Sequence, residues 1–210
     1  MGWALAAALL AGPAWAGDAD PARTGDLIGS PRSYTVQQGD TLPGLAMRLR
    51  LGYVALLAAN PGLDPWLPAP GTRLTLPTVH LLPQAIRPGI VVNLGDLRLY
   101  HMAEGGGLIR SWAIGIGRQG LETPLMSTRV TELRRHPEWR PTPEARAADP
   151  DLPAVVPPGP GNPLGDYAIR IGWEGYLIHG TSKPWGVGRR VSRGCLRMYN
   201  ADAGALFERV

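Results

Sequence analysis

Hydrophobic and polar positions in the first third of the chain follow a strand–helix–helix–strand order. A β-prone run begins at Tyr34, and after a turn at Gly39 apolar residues recur at the spacing of a helix face. A second apolar run is stopped by the sequence NPG at 60–62, and a last β-prone run precedes Pro77. The pattern predicts a small βααβ unit with elements at 34–36, 42–49, 51–59 and 73–76.

From residue 81 the pattern changes to short β-prone runs separated by glycine and proline. Two of these runs, 89–93 and 97–100, flank a Gly95-Asp96 turn of the kind that closes β-hairpins. Further strands are predicted at 108–116, 166–171 and 175–181, and a helix at 201–210. The predicted fold class is therefore mostly β (α+β), with the small βααβ unit in front of a β-rich domain.

The segment 141–166 is too rich in proline to form a core element. A loop of this length in a compact domain usually has a function, often as a wall or lid over a site. The alternative is a flexible surface insertion.

The chain opens with an uncharged apolar run that is too short to span a bilayer and closes on Ala14-Trp15-Ala16, a small-x-small cleavage pattern. We therefore predict a signal peptide at 1–16, a linker at 17–32, and export from the cytoplasm. Because no lysine or arginine precedes the apolar run, an ordinary buried helix is the alternative.

The composition is that of a globular protein, with 44% hydrophobic residues in 210. The net charge of +4 and the isoelectric point of about 9.6 suit an anionic partner, which for an exported protein means the cell wall or a membrane surface. Nucleic acid is not predicted as a partner, because no recognition motif is present.

Cys195 is the only cysteine of the chain. Exported proteins usually pair their thiols, so a single one suggests an intermolecular bridge or a reactive group, the alternative being a small buried hydrophobic residue. Its neighbours Arg193, Gly194 and Arg197 favour an electropositive setting for a thiolate. One cysteine and one nearby histidine are too few ligands for a structural zinc ion, so no metal is predicted.

A histidine is predicted beside this thiol. His179 ends a strand and precedes Cys195 by 16 residues, and a strand, a glycine-rich loop and a returning strand can bring the two side chains together. The histidine can activate the thiol as a base or as an ion-pair partner. The carbonyl of Gly180 can orient the ring, and the backbone N–H groups of Gly194 and Cys195 can hold an oxyanion.

The sequence GIGRQG at 115–120 fits the G-x-G-x-x-G pattern of dinucleotide-binding sites. Thr123-Pro124 stands where the phosphate-binding helix would run, and no βαβ unit follows, so this function is rejected. The glycines are explained instead as strand-end positions that need a positive φ.

Residues 34–77 resemble a LysM domain, the module that binds glycans containing N-acetylglucosamine. The resemblance rests on YTVQQGDTL (34–42), AANPG (58–62) and PGTRLTLP (70–77), and the domain is expected to span 33–78. The alternative is a small helical cap without a ligand. The resemblance implies a sugar site between the two strand–helix turns, near Gly39, Asp40, Thr41, Leu42, Asn60 and Pro61.

Residues 88–210 resemble the L,D-transpeptidase (YkuD) catalytic domain, in the ErfK/YbiS/YcfS/YnhG branch, where a LysM domain also stands in front. The resemblance implies a β-sandwich and a periplasmic enzyme of cell wall organisation and cell shape maintenance in a Gram-negative bacterium, with no cofactor. The segments that carry it are IVVNLGDLRLY (90–100), IGIGRQGLETP (114–124), LPAVVPPGPGNPLGDYAIRI (152–171) and YLIHGTSKPWGVGRRVSRGCLRM (176–198).

By this resemblance Cys195 is the nucleophile and His179 the proton donor and acceptor. The implied reaction transfers an acyl group from a peptidoglycan tetrapeptide stem, with D-alanine leaving, to an amine of a second stem (a 3–3 crosslink) or of a lipoprotein lysine. Carbapenems are expected to acylate the cysteine. For Arg197 a surface ion pair is the alternative. The residues expected to support the nucleophile loop or bind substrate are Arg197, Ser192, Arg193, Thr181 and Tyr176.

Three positions depart from the family pattern. Arg193 stands where many members have histidine, and Met126 ends a turn that commonly reads Thr-Pro-x-Gly. No β-strand follows the last predicted helix, so a C-terminally truncated fragment is a further interpretation.

Two other functions stay open. A cysteine peptidase of the NlpC/P60 kind would act on the same wall substrate, although there the cysteine precedes the histidine in the chain. The second is a wall-binding protein whose catalytic domain is inactive.

Overall fold

The computed structural model of the protein describes residues 23–84 and 86–210. The predicted signal peptide (1–16) and the first part of the predicted linker (17–22) lie outside these residues. Among the helices that the structure describes, none combines the length and the apolar character needed to cross a membrane.

Residues 23–84 form a βααβ unit flanked by short strands. Strands β3 and β4 pair antiparallel, and both helices pack against them around Leu45, Leu56 and Leu74, which are 0–1% exposed. The Thr41 hydroxyl caps the first helix by accepting the backbone N–H of Gly44 at 3.1 Å. The elements are β1 (Arg23–Thr24), β2 (Leu27–Ile28), β3 (Arg32–Thr35), α1 (Leu42–Arg48), α2 (Tyr53–Ala58), β4 (Arg73–Leu76) and β5 (His80–Leu81).

Strands β1 and β2 form a hairpin that continues onto β5, so a three-stranded sheet occupies part of the predicted linker. The prediction of an unstructured linker is wrong for this stretch, because Ile28 provides an apolar anchor. Ile28 is 1% exposed and packs with Leu82, Tyr100 and Ile109. This burial ties the N-terminal hairpin to the β-rich domain.

Residues 86–210 form two facing sheets and a short parallel sheet of two strands, residues 116–117 and 190–192. Strands β6, β7 and β8 make an antiparallel sheet, and the second sheet has the order β10-β11-β12-β14, in which β12 and β14 run parallel. Trp112, Ile114, Ile169, Met198 and Leu206, all nearly fully buried, lie in the core between them. The elements are β6 (Gly89–Asn93), β7 (Arg98–Met102), β8 (Ile109–Ala113), β9 (Ile116–Gly117), β10 (Val130–Arg135), α3 (Pro143–Ala148), β11 (Tyr167–Ile171), β12 (Leu177–His179), a 3₁₀ turn (Pro184–Gly186), β13 (Arg190–Ser192), β14 (Leu196–Arg197) and α4 (Asn200–Phe207).

The single strand predicted at 108–116 is divided into β8 and β9. The division falls at Ile114 and Gly115 because Gly115 leaves the first sheet and pairs with Arg197 of the second. The Gly115 N–H donates to the Arg197 carbonyl at 2.7 Å, and the Arg197 N–H donates back at 2.8 Å. This bridge connects the first sheet to the strand that follows Cys195.

The glycines at 115–120 have two different roles. Gly120 has a positive φ of 79°, as predicted, but Gly115 and Gly117 do not. At Gly117 a Cβ atom would stand 2.1 Å from the Leu121 carbonyl oxygen, and at Gly115 it would stand 2.3 Å from that of Gly186. The positive-φ explanation is therefore wrong for these two, which are glycine because other backbone segments pass too close.

The proline-rich segment 141–166 is held down at its base. Asn162 is 0% exposed, and its side-chain amide donates to the Pro137 carbonyl at 2.7 Å while its oxygen accepts the Leu164 N–H at 2.8 Å. Trp139 and Val156 bridge the two arms of the loop. Of the two predicted roles, these bonds favour a wall over a flexible insertion.

A groove of about 970 Å³ opens between the two sheets of the β-rich domain. Its floor is apolar and includes Val92, Val130 and Ile178. One end of the groove reaches Tyr176 and Gly194, so it adjoins the turn that carries Cys195.

Candidate active site

The parallel pairing of β12 and β14 brings the predicted catalytic residues together. His179 lies opposite Arg197, and Ile178 lies opposite Leu196. Cys195 is the residue immediately before Leu196 in the chain. Because paired residues of neighbouring strands lie on the same face of a sheet, His179 and Arg197 project from one face, and Cys195 lies two residues before Arg197. Strand spacing and rise put the Cα atoms of residues 179 and 195 about 8 Å apart.

The Gly180 carbonyl orients the His179 ring, as the sequence predicts. His179 is 4% exposed, and its Nδ1 lies 2.5 Å from the Gly180 oxygen. Since a carbonyl oxygen can only accept a hydrogen bond, Nδ1 carries the proton of the neutral ring. Nε2 is then the unprotonated nitrogen and can act as a base.

Burial sets the resting protonation of the pair. It raises the pKa of the Cys195 thiol, and a hydrogen bond from the Leu177 backbone and the Arg197 charge oppose this in part. Burial also lowers the pKa of His179 to about 4, against the effect of the Gly180 hydrogen bond. Near neutral pH the thiol and the imidazole are therefore both neutral, which favours the role of base over that of ion-pair partner.

A further contact agrees with a protonated thiol. Cys195 Sγ lies 3.5 Å from the Gly175 carbonyl oxygen and donates to it. A thiolate has no proton to donate and would be repelled by this oxygen.

Ser192 holds the turn that carries the thiol. Ser192 is 3% exposed. Its hydroxyl donates to the Cys195 carbonyl at 2.7 Å and accepts the Gly194 N–H at 3.1 Å. The Gly194 N–H is thus already bonded inside the turn, so the prediction that it serves as an oxyanion donor is not supported. The prediction for the Cys195 N–H stays open.

Gly194 must be glycine for two reasons. Its φ is 108°, a region that residues with a Cβ rarely adopt, and a Cβ there would stand 2.8 Å from the Tyr176 ring. The predicted residue Tyr176 therefore forms one wall beside the turn. Its ring meets Trp173 edge-on at 5.8 Å, and Trp173 is 44% exposed.

Thr123 is a support residue that sequence reasoning missed. Its hydroxyl donates to the Gly194 carbonyl at 2.7 Å and accepts the Gly117 N–H at 3.0 Å. The Thr-Pro pair was visible in the sequence, but nothing local indicated a partner 71 residues away. Thr123 therefore joins the glycine-rich strand end to the nucleophile turn.

The remaining predicted site residues have different surroundings. Thr181 is buried, its hydroxyl accepts the Lys183 N–H at 2.9 Å and its N–H donates to the Asn200 side chain, so it supports the loop after His179. Arg193 is exposed and close enough to α3 to contribute to the lowered pKa of Glu144, after hydrogen bonds from the Glu144 backbone and Thr142. Helix α3, in the proline-rich segment 141–166, therefore lies near the turn that carries Cys195.

Arg197 is not a surface ion pair. It is partly buried, a Cβ at Gly186 would stand 2.6 Å from its Nη1, and its charge acts on both His179 and Cys195. It belongs to the site.

Two residues predicted to bind glycan lie in the interior instead. Leu42 is 0% exposed, and Asn60 is 7% exposed with its amide bonded at 2.8 Å to the carbonyls of Leu56 and Thr75 and its oxygen bonded at 2.8 Å to the Thr75 N–H. Both side chains hold the βααβ unit together, so the sugar site expected near these two positions does not rest on them.

Asp40 and Thr41 are also used within their own turn. The Asp40 carboxylate accepts the Tyr34 hydroxyl and the Gln37 N–H, both at 2.8 Å, and pairs with Arg48 at 3.1 Å. Gly39 and Pro61 are exposed, as a contact with a ligand requires.

Sequence reasoning missed the most exposed apolar side chains of this region. Trp66 is 63% exposed and Leu67 is 80% exposed, in a turn capped by Asp64. The Leu42 N–H donates to the Pro65 carbonyl at 2.8 Å, which joins this turn to the one at Gly39. An aromatic residue just after Asn60-Pro61-Gly62 was the available signal.

Within residues 23–84 and 86–210, no group of three or more histidine, cysteine, aspartate or glutamate side chains could hold a metal ion.

Comparison with protein families assigns both domains. The L,D-transpeptidase catalytic domain (YkuD) matches residues 87–210, and the LysM domain matches residues 34–77. The first match covers more than half of the chain, so the protein belongs to the L,D-transpeptidase family, with a LysM domain in front of the YkuD domain.

Three similar proteins are "Probable L,D-transpeptidase YcfS" of Escherichia coli K12, 43% identical over 193 residues, "Probable L,D-transpeptidase YbiS" of the same organism, 42% identical over 191, and "Probable L,D-transpeptidase ErfK/SrfK" of Salmonella typhimurium, 42% identical over 191. Each alignment covers 88% of this chain but 60% of YcfS and 62% of the other two. The chain therefore spans about three fifths of the length of these relatives.

Proposed function

We propose that the protein is a cysteine-dependent L,D-transpeptidase that transfers acyl groups between peptidoglycan stems. The observation that carries this proposal is the pairing of His179 with Arg197, two residues after Cys195, together with the Gly180 carbonyl, which fixes the proton on Nδ1 and leaves Nε2 as a base. The family membership agrees with this chemistry.

In the first half-reaction, His179 Nε2 takes the thiol proton as Cys195 Sγ attacks the carbonyl carbon of the third stem residue. The tetrahedral intermediate then loses D-alanine by cleavage of the C–N bond. The imidazolium gives its proton to the departing amine, and a thioester remains on Cys195.

In the second half-reaction, an acceptor amine gives a proton to His179 and attacks the thioester carbon. The C–S bond breaks, and the imidazolium returns the proton to the thiolate. The acceptor is the side-chain amine of a second stem, which gives a 3–3 crosslink, or a lysine of an outer-membrane lipoprotein.

Release of D-alanine from a purified disaccharide-tetrapeptide, followed by mass spectrometry, tests the first half-reaction. We expect release by the wild type and none by Cys195→Ala. Release that survives Cys195→Ala would disprove the assigned nucleophile. Absence of release by the folded wild type would favour a binding protein with an inactive catalytic domain.

Two additions to the same assay address the finer proposals. A second stem or a lipoprotein supplied as acceptor distinguishes the two products by mass. Incubation with a carbapenem is expected to add its mass to the wild type and not to Cys195→Ala, because the thiol is the proposed site of acylation.

We propose further that the LysM domain binds wall glycan through a surface formed by Gly39, Pro61, Trp66 and Leu67. The two turns that carry these residues are joined by the hydrogen bond from Leu42 to Pro65. An exposed indole ring provides a flat apolar face on which a sugar ring can stack.

We propose a periplasmic location, at which the enzyme contributes to cell wall organisation and cell shape. The predicted signal peptide at 1–16 and the wall substrate support it. N-terminal sequencing of the protein from a periplasmic fraction should begin at Gly17. Recovery in the cytoplasmic fraction with Met1 retained would contradict this.

A further inference from the structure

The LysM domain packs on the loop that connects His179 to Cys195. We name this contact the interdomain seam; it comprises residues 46–54 of the LysM domain and residues 186–189, Tyr199 and Asp202 of the YkuD domain. At its centre Gly188 lies backbone against backbone on Gly52, and a Cβ at Gly188 would stand 2.4 Å from the Gly52 Cα. The Val54 N–H donates to the Gly188 carbonyl at 3.3 Å.

Side chains on both sides of the seam are specifically paired. The Arg189 guanidinium lies 3.7 Å from the centre of the Tyr53 ring, a cation–π contact. The buried Tyr199 hydroxyl lies 2.8 Å from the Leu51 carbonyl oxygen, to which it donates. Arg50 pairs with Asp202, which is 0% exposed, at 2.7 Å. Buried polar pairs of this kind fix one relative orientation of two surfaces.

The seam continues into the active site through the loop itself. The Gly188 N–H donates to the Ile114 carbonyl at 3.1 Å, and the Arg189 carbonyl accepts the Ile116 N–H at 3.0 Å. Gly186, two residues before Gly188, packs directly against the Arg197 guanidinium. Arg197 is the residue opposite His179 in the β12–β14 register.

We infer that the LysM domain positions the catalytic pair, by holding this loop against Arg197, in addition to binding glycan. Tyr53, Arg189 and Tyr199 are then positioning residues. The loop has glycine at positions 180, 186 and 188, which favours local mobility, and the LysM surface supplies the rigid support. The expected effect on kcat depends on the proposed acyl transfer. The expected effect on ionisation of the Cys195 thiol, which the Arg197 charge influences, does not depend on it.

The kinetic test uses a soluble tetrapeptide stem without glycan, which the sugar surface of the LysM domain does not bind. Tyr53→Ala removes the ring beneath Arg189, whereas Tyr53→Phe keeps it. We expect Tyr53→Ala to lower kcat for D-alanine release at least about fivefold with little change in KM, the lower end of coupling between sites. Tyr53→Phe should match the wild type, and so should Arg73→Ala, whose side chain bonds to Ser33 within the LysM domain.

An independent test measures the rate of Cys195 alkylation by iodoacetamide as a function of pH, which requires no transpeptidation. We expect the midpoint of this profile to move in Tyr53→Ala and to stay in Tyr53→Phe and Arg73→Ala. If the wild type releases no D-alanine, the proposed function fails while the alkylation profile still tests the seam.

Tyr199→Phe removes one hydroxyl at the seam and keeps the ring, so it provides a second variant if Tyr53→Ala does not fold. Thermal unfolding identifies which variants are folded. Wild-type kcat together with a wild-type alkylation profile in folded Tyr53→Ala, or in Tyr199→Phe if Tyr53→Ala does not fold, would overturn the inference.

Discussion

The nucleophile turn and the LysM surface proposed to bind sugar satisfy their polar groups in opposite ways. At the nucleophile turn, buried groups from distant parts of the chain bond to one another, as Thr123 does with Gly194 across 71 residues. In the LysM turns, Asp40 and Asn60 bond within their own small domain, and the exposed surface is left to Trp66.

This difference agrees with the functions proposed for the two sites. A nucleophile and its base have to be held at a fixed separation, which requires buried and mutually bonded supports. A surface that takes up a polysaccharide needs an accessible apolar face, and its polar side chains can serve the domain beneath. A sequence motif therefore identifies the first kind of site, and exposure identifies the second.

After loss of the nucleophile itself, the largest effect is expected at His179. Glutamine can keep a hydrogen bond to the Gly180 carbonyl but cannot take the thiol proton, so His179→Gln should lower the rate of D-alanine release about a thousandfold. The measurement is the initial rate with disaccharide-tetrapeptide, and circular dichroism should show a folded protein. A rate within tenfold of the wild type would mean that another group is the base.

Two glycines with positive φ compare the two regions directly. Gly194→Ala puts a Cβ 2.8 Å from the Tyr176 ring, whereas at Gly39, with φ of 84°, nothing lies within 4 Å. Gly194→Ala should lower D-alanine release about a hundredfold, because the turn that carries Cys195 must move.

Gly39→Ala should cost only the backbone strain, about 1 kcal/mol in the free energy of unfolding, with D-alanine release unchanged. Urea unfolding and the release assay on both variants make the comparison. Equal losses of activity in the two would show that the crowding at Gly194 is unimportant.

The surroundings of His179 and Cys195 could be predicted because the local sequence pattern carries the physical constraints. Gly194, directly before Cys195, is required by the positive φ and by the close Tyr176 ring. Gly180, whose carbonyl orients the His179 ring, follows His179 directly along the chain. The positions of β6, β7, β11 and β12 could be predicted for the same reason, since β-prone runs and turns are local features, whereas β10 was not predicted.

What the sequence could not indicate depends on contacts between distant segments. The role of Thr123, the Ser192 bond that occupies the Gly194 N–H, and the burial of Asn60 each require the folded chain. The three-stranded sheet of β1, β2 and β5 was missed because strands of two residues leave almost no periodicity.

The pH dependence of activity should reflect burial of the base. Because the pKa of His179 is lowered to about 4, first by burial, the ring is neutral and active above that pH. We expect D-alanine release to be lost as pH falls through about 4, and not near the ordinary value of 6.5. An acid limb near 6.5 would indicate a solvated ring.

The same shift affects stability. Between pH 6.5 and about 4 the unfolded chain binds a proton at residue 179 that the folded chain does not, so the free energy of unfolding should decrease as pH falls through this window. His179→Gln, which does not titrate, should show a weaker decrease in urea unfolding measured at several pH values.

The smallest effects should distinguish a residue that stabilises the LysM domain from one that contacts glycan. Asn60→Ala removes an amide that bonds to Thr75 in both directions, and should cost about 1–3 kcal/mol in the free energy of unfolding. Trp66→Ala removes an exposed ring, so it should change stability by less than about 0.5 kcal/mol. In co-sedimentation with purified peptidoglycan, we expect Trp66→Ala to bind about tenfold more weakly and folded Asn60→Ala to bind like the wild type. The reverse result would place the sugar site at Asn60, contrary to the burial and hydrogen bonds of its side chain.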